Sequence, residues 1–71
     1  MVFNPSDWTL KQLRNYRGLE QKNIADELEI SPSAYSKKEL GQRKFDIDEF
    51  KKLCEIFKSS MEDMYIIINN K

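Results

Sequence analysis

The chain has no histidine, one cysteine, two glycines and two prolines among its 71 residues. Because histidine and cysteine are the main zinc ligands, no zinc or other metal site is expected. The same lack leaves few groups for general acid–base or nucleophilic catalysis, so we predict no catalytic residue, no enzymatic activity and no cofactor. Cys54 has no partner for a disulfide within the chain and is predicted to be a small buried hydrophobe.

Long apolar runs are also missing. The run of large apolar residues from Tyr65 to Ile68 is short, whereas a membrane span needs about 20 residues. The opening residues, MVFNPSDW, lack the basic stretch and apolar core of a signal peptide. We therefore predict no membrane association and a cytoplasmic location. The length predicts one domain over residues 1–71, with its core in residues 7–65.

Charge of either sign is not in excess, since 12 basic side chains balance 12 acidic ones. The balance hides a small asymmetry, because residues 1–44 carry +2 and residues 45–71 carry −2. So small an excess is weak evidence for a polyanionic partner. Basic residues are nevertheless concentrated in the segment SPSAYSKKELGQRKF, from Ser31 to Phe45, so a polyanion would bind to this local group of cations and not to the protein as a whole.

Apolar spacing predicts five helices joined by short turns, and therefore an all-α domain. The first helix is expected to begin near Ser6 or Asp7 and to end at Gly18. The second is expected over residues 20–28. The third is expected over residues 32–40, with Ser31 as its N-cap and Gly41 as its C-cap.

Two further helices are predicted in the second half of the chain. The fourth begins after a cap at Asp46 or Asp48, and the fifth begins after Ser60. Their core-facing residues are expected to be Ile47, Phe50, Leu53, Cys54, Phe57, Met61 and Met64. The run from Tyr65 to Ile68 either extends the fifth helix or forms a strand. Its side chains form a buried end or a dimer contact. The dimer contact is favoured for Tyr65 to Ile68, because four consecutive large apolar residues cannot all face one small core. Residues 66–71 are expected to form a C-terminal tail that can make this contact.

A helix, a three-residue turn at positions 29–31 and a second helix form the pattern of a helix-turn-helix unit. In the third helix, Ala34 and Tyr35 are predicted to face the core, so the helix presents a face of short side chains and one lysine outward. A face of this kind fits a DNA major groove, where serine and lysine contact base edges. The outward residues are Pro32, Ser33, Ser36 and Lys37, and the flanking cations suited to phosphates are Lys22, Arg43 and Lys44.

Three stretches carry a resemblance to a known family: LKQLRNYRGLEQKNIADEL, ISPSAYSKKELGQRK and LCEIFKSSMEDM. Gln21 and Ala25 fall at the first and fifth positions of the motif, and Gly41 matches the glycine after the recognition helix. Arg14 and Glu39 match a pair that links the first helix to the end of the recognition helix. On these residues the chain resembles the Cro and phage-repressor-like helix-turn-helix family, also called the XRE family. The resemblance implies a compact five-helix lambda-repressor-like DNA-binding domain.

The resemblance further implies a sequence-specific DNA-binding transcriptional regulator whose partner is double-stranded DNA and which binds two half-sites as a homodimer. The expected DNA-binding residues are Gln21, Lys22, Ser31, Pro32, Ser33, Ser36, Lys37, Lys38, Gln42, Arg43 and Lys44. Ser33, Ser36 and Lys37 are the expected base-reading positions, and the loop after Gly41 is expected to hold the DNA backbone. Arg14 and Glu39 are expected to form a partly buried structural ion pair rather than two independent surface charges.

Five positions depart from the family pattern. Glu20 stands where serine or threonine usually caps the second helix, Glu29 replaces a frequent glycine, and Tyr35 replaces isoleucine or valine. Lys38 occupies a usually apolar position and Leu40 a usually polar one, so we expect apolar character to have moved from the first to the second. These departures affect the expected tilt of the third helix.

A repressor that occupies an operator is the first hypothesis for function. The alternative is an antitoxin or other interaction module that binds a partner protein, such as a toxin, as well as its own promoter. Its partner surface would be the acidic and aromatic stretch from Phe45 to Tyr65. A restriction–modification control protein is a third role that the same fold can serve.

Overall fold

The structure is a computed structural model that describes residues 3–70. Within these residues the chain forms five α-helices and no strand, which confirms the predicted all-α fold. The helices are α1 (Leu10–Tyr16), α2 (Gln21–Leu28), α3 (Pro32–Glu39), α4 (Ile47–Phe57) and α5 (Met61–Asn69). Residues 1, 2 and 71 of the predicted domain lie outside the described range.

The first helix begins later than the sequence suggested. Residues Pro5–Asp7 form a separate 3-10 turn, and α1 starts at Leu10. Thr9 is the N-cap, because its hydroxyl accepts a hydrogen bond from the Gln12 N–H at 3.1 Å while the Gln12 side chain accepts one from the Thr9 N–H at 3.0 Å. This reciprocal capping box satisfies two amides that the helix itself leaves unpaired. The prediction of a start near Ser6 or Asp7 was therefore wrong.

Four of the helices end in the same way, with one residue in the left-handed conformation. Gly18 (φ 70°) and Gly41 (φ 84°) follow α1 and α3, where glycine adopts positive φ at no steric cost. Glu29 (φ 58°) and Lys58 (φ 53°) take the same conformation after α2 and α4 despite their side chains. Each turn is closed by backbone hydrogen bonds, such as Ile30 N–H to the Ala25 carbonyl at 3.0 Å.

The core gathers apolar side chains from all five helices. Tyr35 and Phe57 are its largest fully buried members, and Cys54 is buried among them. The remaining buried apolar residues are Leu10, Leu13, Ile24, Ala25, Leu28, Leu53, Met64 and Ile67. Two residues assigned to the core were placed wrongly, since Ile47 is 61% exposed and Met61 is 49% exposed. Each is the first residue of its helix, where the chain has not yet turned toward the core.

The C-terminal segment is part of the packed domain. Residues 65–68 extend α5 and do not form a strand, and Ile67 is fully buried. After α5, the Asn70 amide donates hydrogen bonds to the carbonyls of Ser6 (2.7 Å) and Trp8 (2.9 Å). A core that ends at residue 65 was therefore too short, because α5 continues and turns Ile67 inward. No helix in the described range is long and apolar enough to span a membrane.

Candidate nucleic-acid interface

The corner between α2 and α3 has the geometry of a helix-turn-helix. α2 ends at Leu28, the left-handed Glu29 reverses the chain, and Ser31 caps α3 by accepting a hydrogen bond from the Ala34 N–H at 3.1 Å. Pro32 occupies the first helical position, where its missing N–H costs nothing. The local sequence thus sets a sharp change of direction between two eight-residue helices.

Tyr35 sets the rotation of α3 about its own axis. Its side chain is fully buried and packs against the ring of Phe45, with 6.0 Å between the ring centroids. With Tyr35 inward, Pro32, Ser33 and Lys37 are exposed. Ser36 is only half-buried. The outer face of α3, defined here as Pro32, Ser33, Ser36 and Lys37, therefore carries short side chains and one cation.

The hydroxyl of Tyr35 is a polar atom in an apolar place. It is buried and has no hydrogen-bond partner among the described residues. Burial, followed by the nearby negative charge of Glu39, raises the pKa of Tyr35. The Glu39 carboxylate is the polar group that influences this hydroxyl, but the two do not meet hydrogen-bond geometry, so the burial of the neutral hydroxyl is not compensated.

Arg14 and Glu39 form an ion pair behind the outer face of α3. The Arg14 Nε–Glu39 Oε2 distance is 2.8 Å and the Arg14 Nη2–Glu39 Oε1 distance is 3.2 Å. Both side chains are almost inaccessible to solvent. The guanidinium also donates to the Leu19 carbonyl at 3.0 Å. The hydrogen bond to Glu39 raises the pKa of Arg14. The pair fastens the last turn of α3 to α1.

Gln21 joins this cluster from the first turn of α2. Its side-chain amide donates to Glu39 Oε1 at 3.1 Å. The contact brings the start of α2 next to the end of α3, so Gln21 and its exposed neighbour Lys22 lie beside α3. One carboxylate, that of Glu39, therefore positions both Gln21 and α3.

Lys38 has a different environment from its neighbour Lys37. Its ammonium contacts both carboxylate oxygens of Glu49, at 2.5 and 2.7 Å, and the two side chains are 15% and 8% exposed. The expectation that Lys38 contacts DNA is not supported by this position, because its charge is already paired inside the protein. Leu40 does not take over the apolar packing role expected at position 38, because it is 59% exposed. Lysine fits the usually apolar position because Glu49 accompanies it.

The loop after α3 continues the outer face. Gly41 donates to the Lys38 carbonyl at 3.1 Å, and the Gln42 N–H donates to the Lys37 carbonyl at 2.9 Å. Beyond this turn Gln42, Arg43 and Lys44 are exposed. Lys22, Lys37, Arg43 and Lys44 form no ion pair within the described range, so their charges are available to a ligand.

A surface that sequence reasoning found only in part lies between α2 and α4, since the predicted partner stretch from Phe45 to Tyr65 supplies its α4 side alone. Two adjoining grooves of about 540 and 340 Å³ share Glu27 and Lys52 in their walls. Apolar contacts come from Leu19, Ile24 and Ile56, and Lys52 is the one cation that lines either groove among the described residues. The carboxylates that line this acidic groove are Asp26, Glu27, Glu29, Asp46, Asp48, Glu49 and Glu55. Acidic residues on two helices signalled the surface, but only the packing of α2 on α4 joins them.

Comparison with known proteins gives one family. Residues 9–69 match the family described as "Helix-turn-helix domain". No curated protein and no solved structure matches the chain. The matched range covers all five helices of the structure.

Proposed function

We propose that this chain, which belongs to the helix-turn-helix domain family of the Cro and phage-repressor-like type, is a sequence-specific DNA-binding transcriptional regulator of the cytoplasm. The observation that carries the proposal is the outer face of α3. Its residues Pro32, Ser33 and Lys37 are exposed. Tyr35 and Glu39 of the same helix are held inside. An α-helix with such a face fits the major groove of B-DNA.

Each candidate residue has a role that follows from its position. Ser33 and Lys37 are proposed to contact base edges, and the half-buried Ser36 supports the same face. Pro32 contacts the wall of the groove. The residues proposed to contact the phosphate backbone, which position the protein without reading sequence, are Gln21, Lys22, Ser31, Gln42, Arg43 and Lys44. Lys38 is left out of this set because Glu49 holds its ammonium.

Selection from random-sequence DNA, followed by binding titration of the selected site, tests the proposal. We expect one sequence family to be enriched and its affinity to fall steeply with salt, as phosphate contacts require. Replacing Arg43 with alanine should lower affinity for selected and random DNA alike and reduce the salt slope by about 1. An unchanged slope would remove Arg43 from the interface, and no enrichment with the wild type would reject the function.

We further propose that the regulator is a homodimeric repressor. Phe45, Phe50, Tyr65 and Ile68 give the apolar part of a groove of about 310 Å³ beside the end of α3, and Tyr65 is 65% exposed. The basic side chains that line the same groove are Lys38, Arg43 and Lys44. A symmetric dimer that binds two half-sites must hold its recognition helices about one DNA turn, roughly 34 Å, apart. Sedimentation equilibrium tests it: Tyr65→Glu should shift the wild-type dimer toward monomer, whereas Tyr16→Glu, at a tyrosine of α1 that is 74% exposed, should not. A monomeric wild type at all concentrations would contradict the dimer.

The second candidate function is binding of a partner protein, as an antitoxin would require. The acidic groove between α2 and α4 favours it, because carboxylates surround apolar contacts there and suit a basic amphipathic helix. A basic and an acidic amphipathic peptide of equal length, titrated into labelled protein and followed by NMR, discriminate the cases. Shifts confined to the groove with the basic peptide alone would support the candidate, and none with either peptide would reject it.

A further inference from the structure

Two structural units meet at the end of the recognition helix. The last turn of α3 contains Lys38, and the first turn of α4 contains Glu49. Between them lies the loop of residues 40–46, which carries the exposed Gln42, Arg43 and Lys44. The loop has no helix of its own, so its position depends on what holds its two ends.

Both ends of the loop are held by hydrogen bonds. At its start, the Gln42 N–H donates to the Lys37 carbonyl at 2.9 Å. At its end, Asp46 and Glu49 cap α4 reciprocally: the Asp46 N–H donates to Glu49 Oε1 at 2.9 Å, and the Glu49 N–H donates to Asp46 Oδ1 at 2.8 Å. Each end is therefore fixed to its own helix, but neither bond fixes one helix relative to the other.

The Lys38–Glu49 ion pair connects the two ends. Glu49 Oε1 accepts hydrogen bonds from both the Asp46 N–H and the Lys38 ammonium, so one oxygen belongs to the cap of α4 and to the pair. Glu49 is buried although it is charged, and burial of a carboxylate is tolerated when a cation and hydrogen bonds accompany it. The pair thus holds the last turn of α3 against the first turn of α4.

We propose that Lys38 is a positioning residue for DNA binding, and that its ion pair with Glu49 sets where the loop presents Arg43 and Lys44 to the phosphate backbone. This inference rests on the proposed DNA-binding function and deepens it. It separates two adjacent lysines by role. Lys37 lies exposed on the outer face of α3 and contacts DNA, whereas Lys38 acts through the loop without contacting DNA.

Glu49→Gln is the decisive variant, because it removes the negative charge while glutamine still serves as the third residue of a capping box. We expect it to reduce the dependence of log affinity on log salt by about 1 to 2, since one or both loop cations lose their phosphates. If Lys38 instead contacts DNA, Glu49→Gln releases its ammonium and leaves the slope unchanged or steeper. That outcome would overturn the proposal.

Two further comparisons keep the test independent of folding. Glu62→Gln makes the same change at an exposed residue in the first turn of α5 and should leave the slope unchanged. Arg43→Ala should lower the DNA affinity and the salt slope less in the Glu49→Gln background than in the wild type, because the contact of Arg43 with phosphate is already weakened there. Fully additive effects would contradict a shared role.

Backbone NMR of the free protein provides a readout apart from DNA. Glu49→Gln and Lys38→Met should both shift the amide signals of residues 41–46 and leave those of α1 in place, which also shows that the variants are folded. Unshifted loop amides would overturn the positioning role even if DNA binding is confirmed. A wild type with no salt-dependent DNA affinity would instead reject the proposed function and this inference together, so the two failures are distinguishable.

Discussion

The two sides of α3 differ in how their polar groups are satisfied. On the inner side, Glu39 and Lys38 each have a charged partner within 2.8 Å. On the outer side, Ser33 and Lys37 face solvent with no partner in the described residues. Charges with partners inside the protein hold the helix in place, whereas charges without them are free for a ligand. Lys37 and Lys38 show the difference most clearly, since they are the same residue type at adjacent positions.

The largest effect is expected where the inner side is broken at Arg14. Arg14→Met leaves the carboxylate of Glu39 buried without its cation, and we expect a loss of about 3 to 5 kcal/mol in the free energy of unfolding. Lys11→Met, at an exposed residue of the same helix, should change it by less than about 0.5 kcal/mol. Urea denaturation measures both. Similar losses for the two variants would mean that the buried pair is not a strong constraint.

The adjacent lysines are expected to differ in their contribution to stability. Lys38→Met leaves Glu49 buried with only its cap hydrogen bond, so the free energy of unfolding should fall by about 1 to 3 kcal/mol. Lys37→Met removes an exposed charge and should change stability by less than about 0.5 kcal/mol. Equal changes in thermal or urea denaturation would contradict the assignment of the two lysines to opposite sides.

Tyr35 is the inner residue whose polar group lacks a partner. Tyr35→Phe removes a buried hydroxyl without a hydrogen bond and should stabilise the protein by about 1 kcal/mol near neutral pH. Because the folded state raises the pKa of Tyr35, the unfolded chain ionises first as pH rises. Ionisation of Tyr35 therefore does not affect the free energy of unfolding below pH about 10 and lowers it progressively above that pH.

The difference in the free energy of unfolding between wild type and Tyr35→Phe tests this direction of the pH dependence. The advantage of phenylalanine should grow above pH about 10, by up to about 1.4 kcal/mol per pH unit. Urea denaturation of both proteins at pH 7 and above pH 10 measures it, and the exposed tyrosines cancel in the difference. If this stability difference stays constant or becomes smaller as pH rises, the Tyr35 hydroxyl is solvated in the folded state.

The smallest effect is expected in the turn that joins α2 to α3. Glu29 adopts φ 58°, a conformation that costs an ordinary residue more than glycine. Glu29→Gly should therefore stabilise the protein slightly, by about 0.5 kcal/mol after the entropy cost of glycine. Glu27→Gly, inside α2, should destabilise it by about 1 kcal/mol. If Glu29→Gly lowers stability, the Glu29 side chain stabilises the fold by more than its left-handed backbone conformation costs.

Local signals in the sequence predicted the helices well. Ser31 before Pro32, Ser60 and Asp46 each have a side chain that accepts a hydrogen bond from the first turn of the next helix, and each begins a helix as expected. The start of α1 was missed although its signal was present, since Thr9 and Gln12 have the spacing of a capping box. Serine and aspartate a few residues earlier offered a competing cap.

Most contacts between helices could not be predicted from the sequence. Lys38 and Glu49 lie 11 positions apart, and their pairing depends on how α4 packs against the end of α3. The acidic groove likewise requires α2 and α4 to lie side by side. The Arg14–Glu39 pair could be predicted only because the chain resembles a family in which those positions contact each other. Residue spacing alone does not indicate which charged residues meet across the core.

Sequence reading by α3 can be measured through the affinities of wild type, Lys37→Ala and Lys51→Ala for a selected DNA site and for random DNA. Lys51 is an exposed lysine of α4 and serves as the control for loss of charge. We predict that Lys37→Ala weakens binding to the selected site by about 1 to 3 kcal/mol more than binding to random DNA, and that Lys51→Ala weakens neither. Equal losses on both DNAs, or no loss, would contradict sequence reading by the outer face of α3.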